Sequence, residues 1–349
     1  NRDGFRATLD GSISGLPETD RMNFNLRLGD ASFTLGELES LIMGFSPGSR
    51  LGIGHMAPGQ RFRTDATVRG RLDRMQTEVK AAAGGSMLNA SLLLTGLLDR
   101  HMSPGLRGTV DCQDLDLGSF LPGKALGRAS FRAEADASFG KGAARVDLDT
   151  LEIMQLHFNG HDFSGMSASG SYSPEGFDIS FGSSDPALTA TLTASAEKDG
   201  ARGLSEEGLP AGYLMLRADI ANADFGALGL KKYAGSSASF SAEAYADGRK
   251  GTDLDGSISL SGVELRDSSS ARSIGDMLID LSSAEQRERI DISSDLISGS
   301  FSGSSDIVEF FRFLVNLSAK REFPSVFNGE DRERFGNDYE LQLHINDSN

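Results

Sequence analysis

The chain has 349 residues, with 50 Asp and Glu against 34 Lys and Arg, so its formal net charge is −16. A surface of this sign repels a phosphate backbone, which argues against a nucleic-acid partner. At 38% hydrophobic and 24% charged residues, the composition is that of a chain that folds, and differs from that of a membrane bundle or a disordered segment.

The sequence contains few features that indicate a signal segment, a membrane anchor or cysteine chemistry. The first residue is Asn1, and the sequence has neither a basic segment followed by an apolar one nor a run of about 18 apolar residues. We therefore expect a piece of a longer polypeptide, with any signal or membrane anchor outside it. The single cysteine, Cys112, forms no intramolecular disulfide and lacks the paired spacing of a zinc site.

Apolar and polar residues alternate with a period of two along most of the chain, a pattern typical of half-buried antiparallel strands. The clearest run places Phe131, Ala133 and Ala135 on one face and Arg132 and Glu134 on the other. The runs predicted as strands are 22–28, 62–68, 88–94, 131–138, 188–196, 214–220, 240–247, 290–292 and 341–345. The pattern predicts an all-β, mostly antiparallel fold.

Two short amphipathic helices interrupt the predicted strands. Residues 35–43 place Leu38, Leu41 and Ile42 on one face. A second helix is predicted near 306–320, where Asp306 caps a segment with apolar residues at helical spacing that ends before Pro324.

The sequence repeats at long period. Gly118 and Gly226 lie at matching positions of two similar segments, and Asp185 and Asp295 lie at matching positions of two others, at nearly the same interval. A degenerate copy begins at Leu35. We expect one continuous array of repeats, spanning 1–108, 109–216 and 217–349, rather than independent domains.

The apolar face of the strongest strands is rich in alanine, which fills little volume between packed sheets. Such a face forms either a narrow, dry core or an open trough for an apolar ligand. The residues predicted to line this face are Phe131, Ala133, Ala135, Leu188, Ala190, Leu192, Phe240, Ala242 and Ala244.

Metal sites are not favoured by the sequence. His157 and His161 have the i, i+4 spacing of helical zinc ligands, but Asn159-Gly160 between them is a hairpin-turn dipeptide, which predicts a turn with two exposed histidines. The cluster Asp111, Asp114 and Asp116 lacks the spacing of a calcium loop, so these carboxylates are expected to face solvent.

Catalytic motifs are not favoured either. The segment 52–57 has two glycines of a dinucleotide fingerprint but no surrounding βαβ pattern. The five histidines and many serines form no recognisable triad order, and no Gly-x-Ser-x-Gly motif lies between a strand and a helix. We predict that the chain is not an enzyme and needs no cofactor.

The repeated residue pattern of the segments 115–135, 170–180 and 294–303 resembles the repetitive periplasmic portion of TamB-like proteins. These are translocation and assembly module subunits of the AsmA-like superfamily. The resemblance implies an elongated β array curved into an apolar groove, called a β-taco, in the periplasm of a Gram-negative cell. It further implies an inner-membrane anchor outside this chain and transport of phospholipid towards the outer membrane.

The resemblance carries no catalytic residues. It suggests an outer-membrane barrel protein of the assembly module as a partner besides phospholipid. Two alternatives remain open: a structural β-solenoid or scaffold with a dry core, and a chaperone-like module that assembles outer-membrane proteins by strand augmentation.

Overall fold

The structure is a computed structural model. It describes residues 6–16, 18, 21–45, 56–57, 59–71, 73–96, 104–120, 125–140, 143–197, 213–247, 255–284, 287–295, 297–303 and 339–345. Within these residues the chain forms nineteen β-strands, two short α-helices and one 3₁₀ turn. The strand pairs whose register is given are all antiparallel, which confirms the predicted all-β, mostly antiparallel fold.

The strands in chain order are β1 (Arg6–Ser14), β2 (Asn23–Phe33), β3 (Phe62–Arg71), β4 (Arg74–Ala83), β5 (Ser86–Thr95), β6 (Gly105–Asp116), β7 (Leu126–Gly140), β8 (Ala143–Phe158), β9 (His161–Phe163), β10 (Met166–Ser173), β11 (Gly176–Asp185), β12 (Leu188–Glu197), β13 (Tyr213–Asp224), β14 (Ser237–Asp247), β15 (Asp255–Arg266), β16 (Ala271–Ala284), β17 (Arg287–Ser294), β18 (Ile297–Gly303) and β19 (Tyr339–Ile345). Each of the nine runs predicted as strands overlaps one of these strands.

The backbone contacts divide the chain into two units. Unit 1 comprises Asn1–His157 and Ser167–Ser173, and unit 2 comprises Phe158–Met166 and Pro174–Asn349. In unit 1, each strand from β1 to β7 pairs with the next one along the chain, and β8 pairs with β10. In unit 2, each strand from β11 to β19 pairs with the next in the same way. Both units are therefore meandering antiparallel ladders.

The helix predicted at 35–43 is observed as α1 (Leu35–Phe45). Its N-terminus is a capping box: the Glu37 N–H donates to Thr34 Oγ1 at 3.2 Å, and the Thr34 N–H donates to Glu37 Oε2 at 2.9 Å. The helix predicted near 306–320 lies outside the described residues.

Two other helical turns, α2 (Leu117–Phe120) and a 3₁₀ turn (Lys231–Tyr233), were not predicted. Both follow strands at which the ladder register shifts, between Cys112 and Leu115 in β6 and between Ile220 and Ala223 in β13. The interval between these two irregularities equals the interval between Gly118 and Gly226. The long-period repeat thus corresponds to a recurring sequence of strand, bulge, turn and strand.

Close packing after each bulge leaves little room for a side chain at the repeated glycine. A Cβ atom at Gly118 would lie 2.8 Å from the carbonyl oxygen of Leu126, and one at Gly226 would lie 3.3 Å from Cα of Ala234. The turn after β13 is also held by Asp224, whose Oδ1 accepts from the Ala227 N–H at 3.0 Å. These contacts explain why glycine recurs at this position of the repeat.

Candidate functional site: the apolar faces of the two ladders

One face of the unit 2 ladder is lined by apolar side chains. Residues paired directly across neighbouring strands point to the same side of a sheet, so the register defines rows that cross the strands. The central row is Ile179, Ala194, Leu216, Ala244, Ile258, Ile279, Ile292 and Gly299. The row on one side of it is Phe181, Leu192, Ala218, Ala242, Leu260 and Met277. The row on the other side is Phe177, Ala196, Leu214, Ala246, Gly256, Leu281, Ile290 and Phe301. These three rows are the unit 2 apolar face.

The unit 1 ladder has a corresponding face. Its three central rows are Ile13, Phe24, Gly70, Met75, Leu94, Leu106 and Ala137; Gly11, Leu26, Val68, Thr77, Leu92, Gly108 and Ala135; and Leu9, Leu28, Ala66, Val79, Ala90, Val110 and Ala133. A shorter row adds Ala31, Thr64, Ala81, Leu88, Cys112 and Phe131. These four rows are the unit 1 apolar face.

Three of the predicted face residues belong to unit 1. Phe131, Ala133 and Ala135 pair with Cys112, Val110 and Gly108 of β6, and all three are half-buried on the unit 1 apolar face. Their neighbours Arg132 and Glu134 lie on the opposite face and are exposed. The two faces of β7 are therefore those that the alternation in the sequence predicted.

The other six predicted residues belong to unit 2, where β13 joins them. Ala190 and Phe240 both pair with Ile220, and Leu192 and Ala242 both pair with Ala218. Ala190 and Ala242 are buried, whereas Leu192, Phe240, Leu188 and Ala244 are half-buried. The register brings residues of β12 and β14, which are distant in the sequence, onto one continuous face.

The apolar faces are only partly covered. On the unit 2 face Ile290 is 4% exposed, but Ile179 and Leu214 are 44% and 47% exposed. On the unit 1 face Leu9 is 65% exposed. An apolar surface that remains open in this way is suited to bind apolar molecules, because covering it releases ordered water.

The opposite face of each ladder is polar. In unit 2 the row next to the apolar positions runs through Ser180, Thr193, Arg217, Glu243, Ser259, Leu278, Ser293 and Ser298. Arg217 and Glu243 form an ion pair at 3.3 Å, and Ser241 Oγ donates to Asp219 Oδ1 at 2.6 Å. Each ladder therefore separates apolar from polar side chains across its thickness.

Two threonines interrupt the unit 1 apolar face. The side chains of Thr64 and Thr77 are buried, and their Oγ1 atoms have no hydrogen-bond partner within the part of the chain that the structure describes. Cys112 in the same face is fully buried, and burial raises the pKa of its thiol. The alternation pattern predicted none of this, because threonine and cysteine fit either face of a strand.

A buried carboxylate lies where β11 turns into β12. Asp185 accepts hydrogen bonds from the Ser164 and Ala187 N–H groups, both at 2.8 Å, and His161 Nε2 lies 3.4 Å from Oδ1. Burial raises the pKa of this carboxyl, but the hydrogen bonds from Ala187, Ser164 and His161 outweigh it, so the pKa is lowered. Leu188 therefore pairs with an anionic residue at the end of the apolar face.

The histidine turn was predicted correctly, but the exposure of its histidines was not. Asn159 and Gly160 form a turn with positive φ angles of 51° and 88° between β8 and β9. His157 and His161 are half-buried rather than exposed, since His161 packs against Phe163 with ring centroids 4.5 Å apart and lies beside Asp185.

The predicted acidic cluster mostly faces solvent. Asp114 and Asp116 are exposed, and the half-buried Asp111 pairs with Arg132 at 3.0 Å. In the described ranges, no group of three or more His, Cys, Asp or Glu side chains is arranged to hold a metal ion. Most of the glycine segment 52–57 lies outside the described residues. Its last residue, Ala57, is buried and donates its N–H to the Ser119 carbonyl at 2.8 Å.

Comparison of the chain with protein-family models, with curated proteins and with solved structures finds no match. Among the residues described, none of the helices has the length and apolar character needed to cross a membrane.

Proposed function

We propose that this chain is a periplasmic segment of a TamB-like protein that binds phospholipid by its acyl chains and conducts it along the apolar faces of its ladders. The observation that carries the proposal is the continuity of these faces. The central row of unit 2 crosses eight strands with only aliphatic side chains and one glycine.

The energetics favour acyl chains as the ligand. Burial of each CH₂ group contributes about 0.8 kcal/mol, so a continuous apolar surface holds a chain without any specific polar contact. Because the surface makes no specific contact with the lipid, the acyl chain can also slide from one row to the next. The headgroup stays in water beyond the apolar rows, which is why no dedicated headgroup site is needed for conduction.

The remaining parts of the proposal follow from the resemblance to TamB-like proteins. The chain works in the periplasm, is anchored in the inner membrane by a segment outside this sequence, and delivers phospholipid to the outer membrane with a barrel protein as partner. It performs no chemistry on the lipid, and phospholipid is its only ligand in this role.

The proposal is tested by measuring phospholipid that co-purifies with the chain from a Gram-negative host, using native mass spectrometry and lipid extraction. Ala242→Asp places a carboxylate on the unit 2 apolar face, and Thr193→Asp places one on the opposite face, beside Arg217. Ala133→Asp and Ser138→Asp are the corresponding pair on β7 of unit 1. An unpaired charge beside an acyl chain costs at least about 2 kcal/mol, so lipid bound to Ala242→Asp and Ala133→Asp should fall more than about tenfold.

Thr193→Asp and Ser138→Asp should retain lipid at the level of the unmodified chain. Circular dichroism of each variant separates lipid loss from unfolding. Equal lipid in both members of a pair, with all variants folded, contradicts the assignment of the binding face. A folded, unmodified chain that carries no phospholipid favours the scaffold alternative instead.

A further inference from the structure

A depression on the polar face of unit 1 is lined by arginines. It has a volume of about 560 Å³, and its polar lining comprises Arg69, Arg74, Arg107, Gln76, Ser91 and Thr109. The volume lies within the range of small-molecule sites. This site, the arginine depression, lies on the side of the ladder opposite to the unit 1 apolar face.

The register explains how the arginines come together. Arg69 of β3 pairs with Gln76 of β4, Gln76 pairs with Leu93 of β5, and Leu93 pairs with Arg107 of β6. Arg74 lies two positions before Gln76 on the same strand, so it shares this face. Three cations from three strands are therefore brought to one side of the sheet.

The charge of the depression is unusual for this protein. The chain has 16 more acidic than basic residues, yet none of the described residues that line the depression carries a carboxylate. Among the described residues, none forms an ion pair with Arg69, Arg74 or Arg107. In contrast, Arg132 of the neighbouring strand β7 is paired with Asp111 at 3.0 Å.

Two acidic residues lie on the same face as the three arginines, close to them in the register. Asp136 is the register partner of Arg107 on β7, and Glu78 lies two positions after Gln76 on β4. Neither forms an ion pair with these arginines among the described residues. Asp73, which precedes Arg74 in the sequence, pairs instead with Arg71 at 3.3 Å.

Two glycines of the unit 1 apolar rows, Gly70 and Gly108, contribute their backbone to the lining of the depression. A Cβ atom at Gly70 would collide with the carbonyl oxygen of Arg74, and one at Gly108 would collide with that of Ser91. Only glycine fits at these positions, because a side chain would collide with the backbone of the neighbouring strand. Exposed cations around an open concavity are an arrangement suited to an anionic ligand.

We propose that the arginine depression binds a small soluble anion that carries at least two phosphate groups. The guanidinium group matches phosphate oxygens with two parallel hydrogen bonds. Arg69 and Arg107 are three strand spacings apart, about 14 Å at about 4.8 Å per spacing, a distance suited to a ligand with more than one phosphate. The amide of Gln76 and the hydroxyls of Ser91 and Thr109 supply further donors.

Isothermal titration calorimetry with inorganic pyrophosphate at low salt tests the proposal. The double variant Arg69→Gln, Arg107→Gln removes two cations of the depression. The control, Arg63→Gln with Arg272→Gln, removes two exposed arginines elsewhere and changes the net charge equally. The unmodified chain should bind pyrophosphate, the double variant should bind more than tenfold more weakly, and the control should stay within twofold.

Three results would overturn the proposal. The first is a lack of pyrophosphate binding by the unmodified chain. The second is equal weakening in the double variant and the control, which would show a net-charge effect only. The third is binding to phosphatidylglycerol vesicles that depends on Arg69 and Arg107 while pyrophosphate does not bind, which would replace the small anion by a membrane surface. Co-purified phospholipid should be unchanged in the double variant, so the outcome is independent of the proposed lipid transport.

Discussion

The two ladders share the same alternation of apolar and polar residues, but the side chains on their apolar faces differ. In unit 2, Leu281 and Ile290 form a buried cluster with Ile279, Ile292 and Phe301 packed around it. In unit 1, the corresponding face includes Thr64 and Thr77, which are 8% and 9% exposed and have no hydrogen-bond partner in the described part of the chain. The apolar face thus consists of apolar residues in unit 2, whereas in unit 1 apolar residues are mixed with buried threonines.

The polar faces differ as well. In unit 1, Arg69, Arg107 and Asp136 lie in one polar row, whereas a polar row of unit 2 combines the Arg217–Glu243 ion pair with serines such as Ser259 and Ser293. Alternation of apolar and polar residues alone therefore maintains the separation of the two faces. The identity of the polar residues is then free to provide other functions, as we propose for the arginine depression.

The prediction with the largest expected effect compares the same substitution on the two faces of unit 2. Leu281 is 8% exposed on the apolar face, and Leu278 on the same strand is 41% exposed on the polar face. Leu281→Ser should lower the free energy of unfolding by about 3 kcal/mol, because it leaves a cavity and a buried hydroxyl. Leu278→Ser should change it by less than about 1 kcal/mol. Urea denaturation of both variants measures the difference, and similar losses would mean that the faces are not distinct.

The second prediction compares the two matching turns of unit 2. Asp185 is buried, whereas its repeat equivalent Asp295 is exposed. Because the folded-state pKa of Asp185 is lowered, its carboxylate stabilises the fold above the unfolded pKa of about 3.9. This contribution is lost as the pH falls through the folded-state pKa.

Asp185→Asn should therefore lower the free energy of unfolding by about 2 kcal/mol at pH 7, and the gap to the unmodified chain should close below about pH 4. Asp295→Asn is the control and should have little effect at either pH. Denaturation at several pH values checks both. A gap that stays constant down to pH 2 would contradict a role for the charge of Asp185.

The smallest effect concerns the threonines that distinguish the unit 1 face. Thr64→Val and Thr77→Val make this face resemble that of unit 2. Each should raise the free energy of unfolding by about 1 kcal/mol, since burial of an unpaired hydroxyl is unfavourable. Thr109→Val, at an exposed position of the polar face, is the control. A loss of stability in Thr64→Val or Thr77→Val would show that the hydroxyl has a partner in solution.

Local patterns predicted the parts of the structure that depend on neighbouring residues. The period of two located nine strands and assigned the faces of β7, β12 and β14, and the spacing of Leu38, Leu41 and Ile42 located α1. The capping box at Thr34 and Glu37 is a further local signal for that helix, which the prediction did not use. The helical turn at α2 was missed because it comprises only four residues and has no amphipathic period.

The remaining features depend on register between distant segments. Arg69 and Arg107 lie on strands that are not neighbours, and only the pairing through β4 and β5 brings them to one depression. Burial of Asp185 similarly depends on Ser164 and His161 from the preceding turn and strand. Alternation within one strand contains no information about which residue of another strand will lie opposite.

The most direct test of the central claim is the phospholipid content of the pair Ala242→Asp and Thr193→Asp. The two substitutions introduce the same charge on opposite faces of the same ladder. We predict that the folded Ala242→Asp chain loses its phospholipid and that Thr193→Asp retains it. Equal phospholipid in the two folded variants would contradict the claim that the apolar face is the lipid-binding surface.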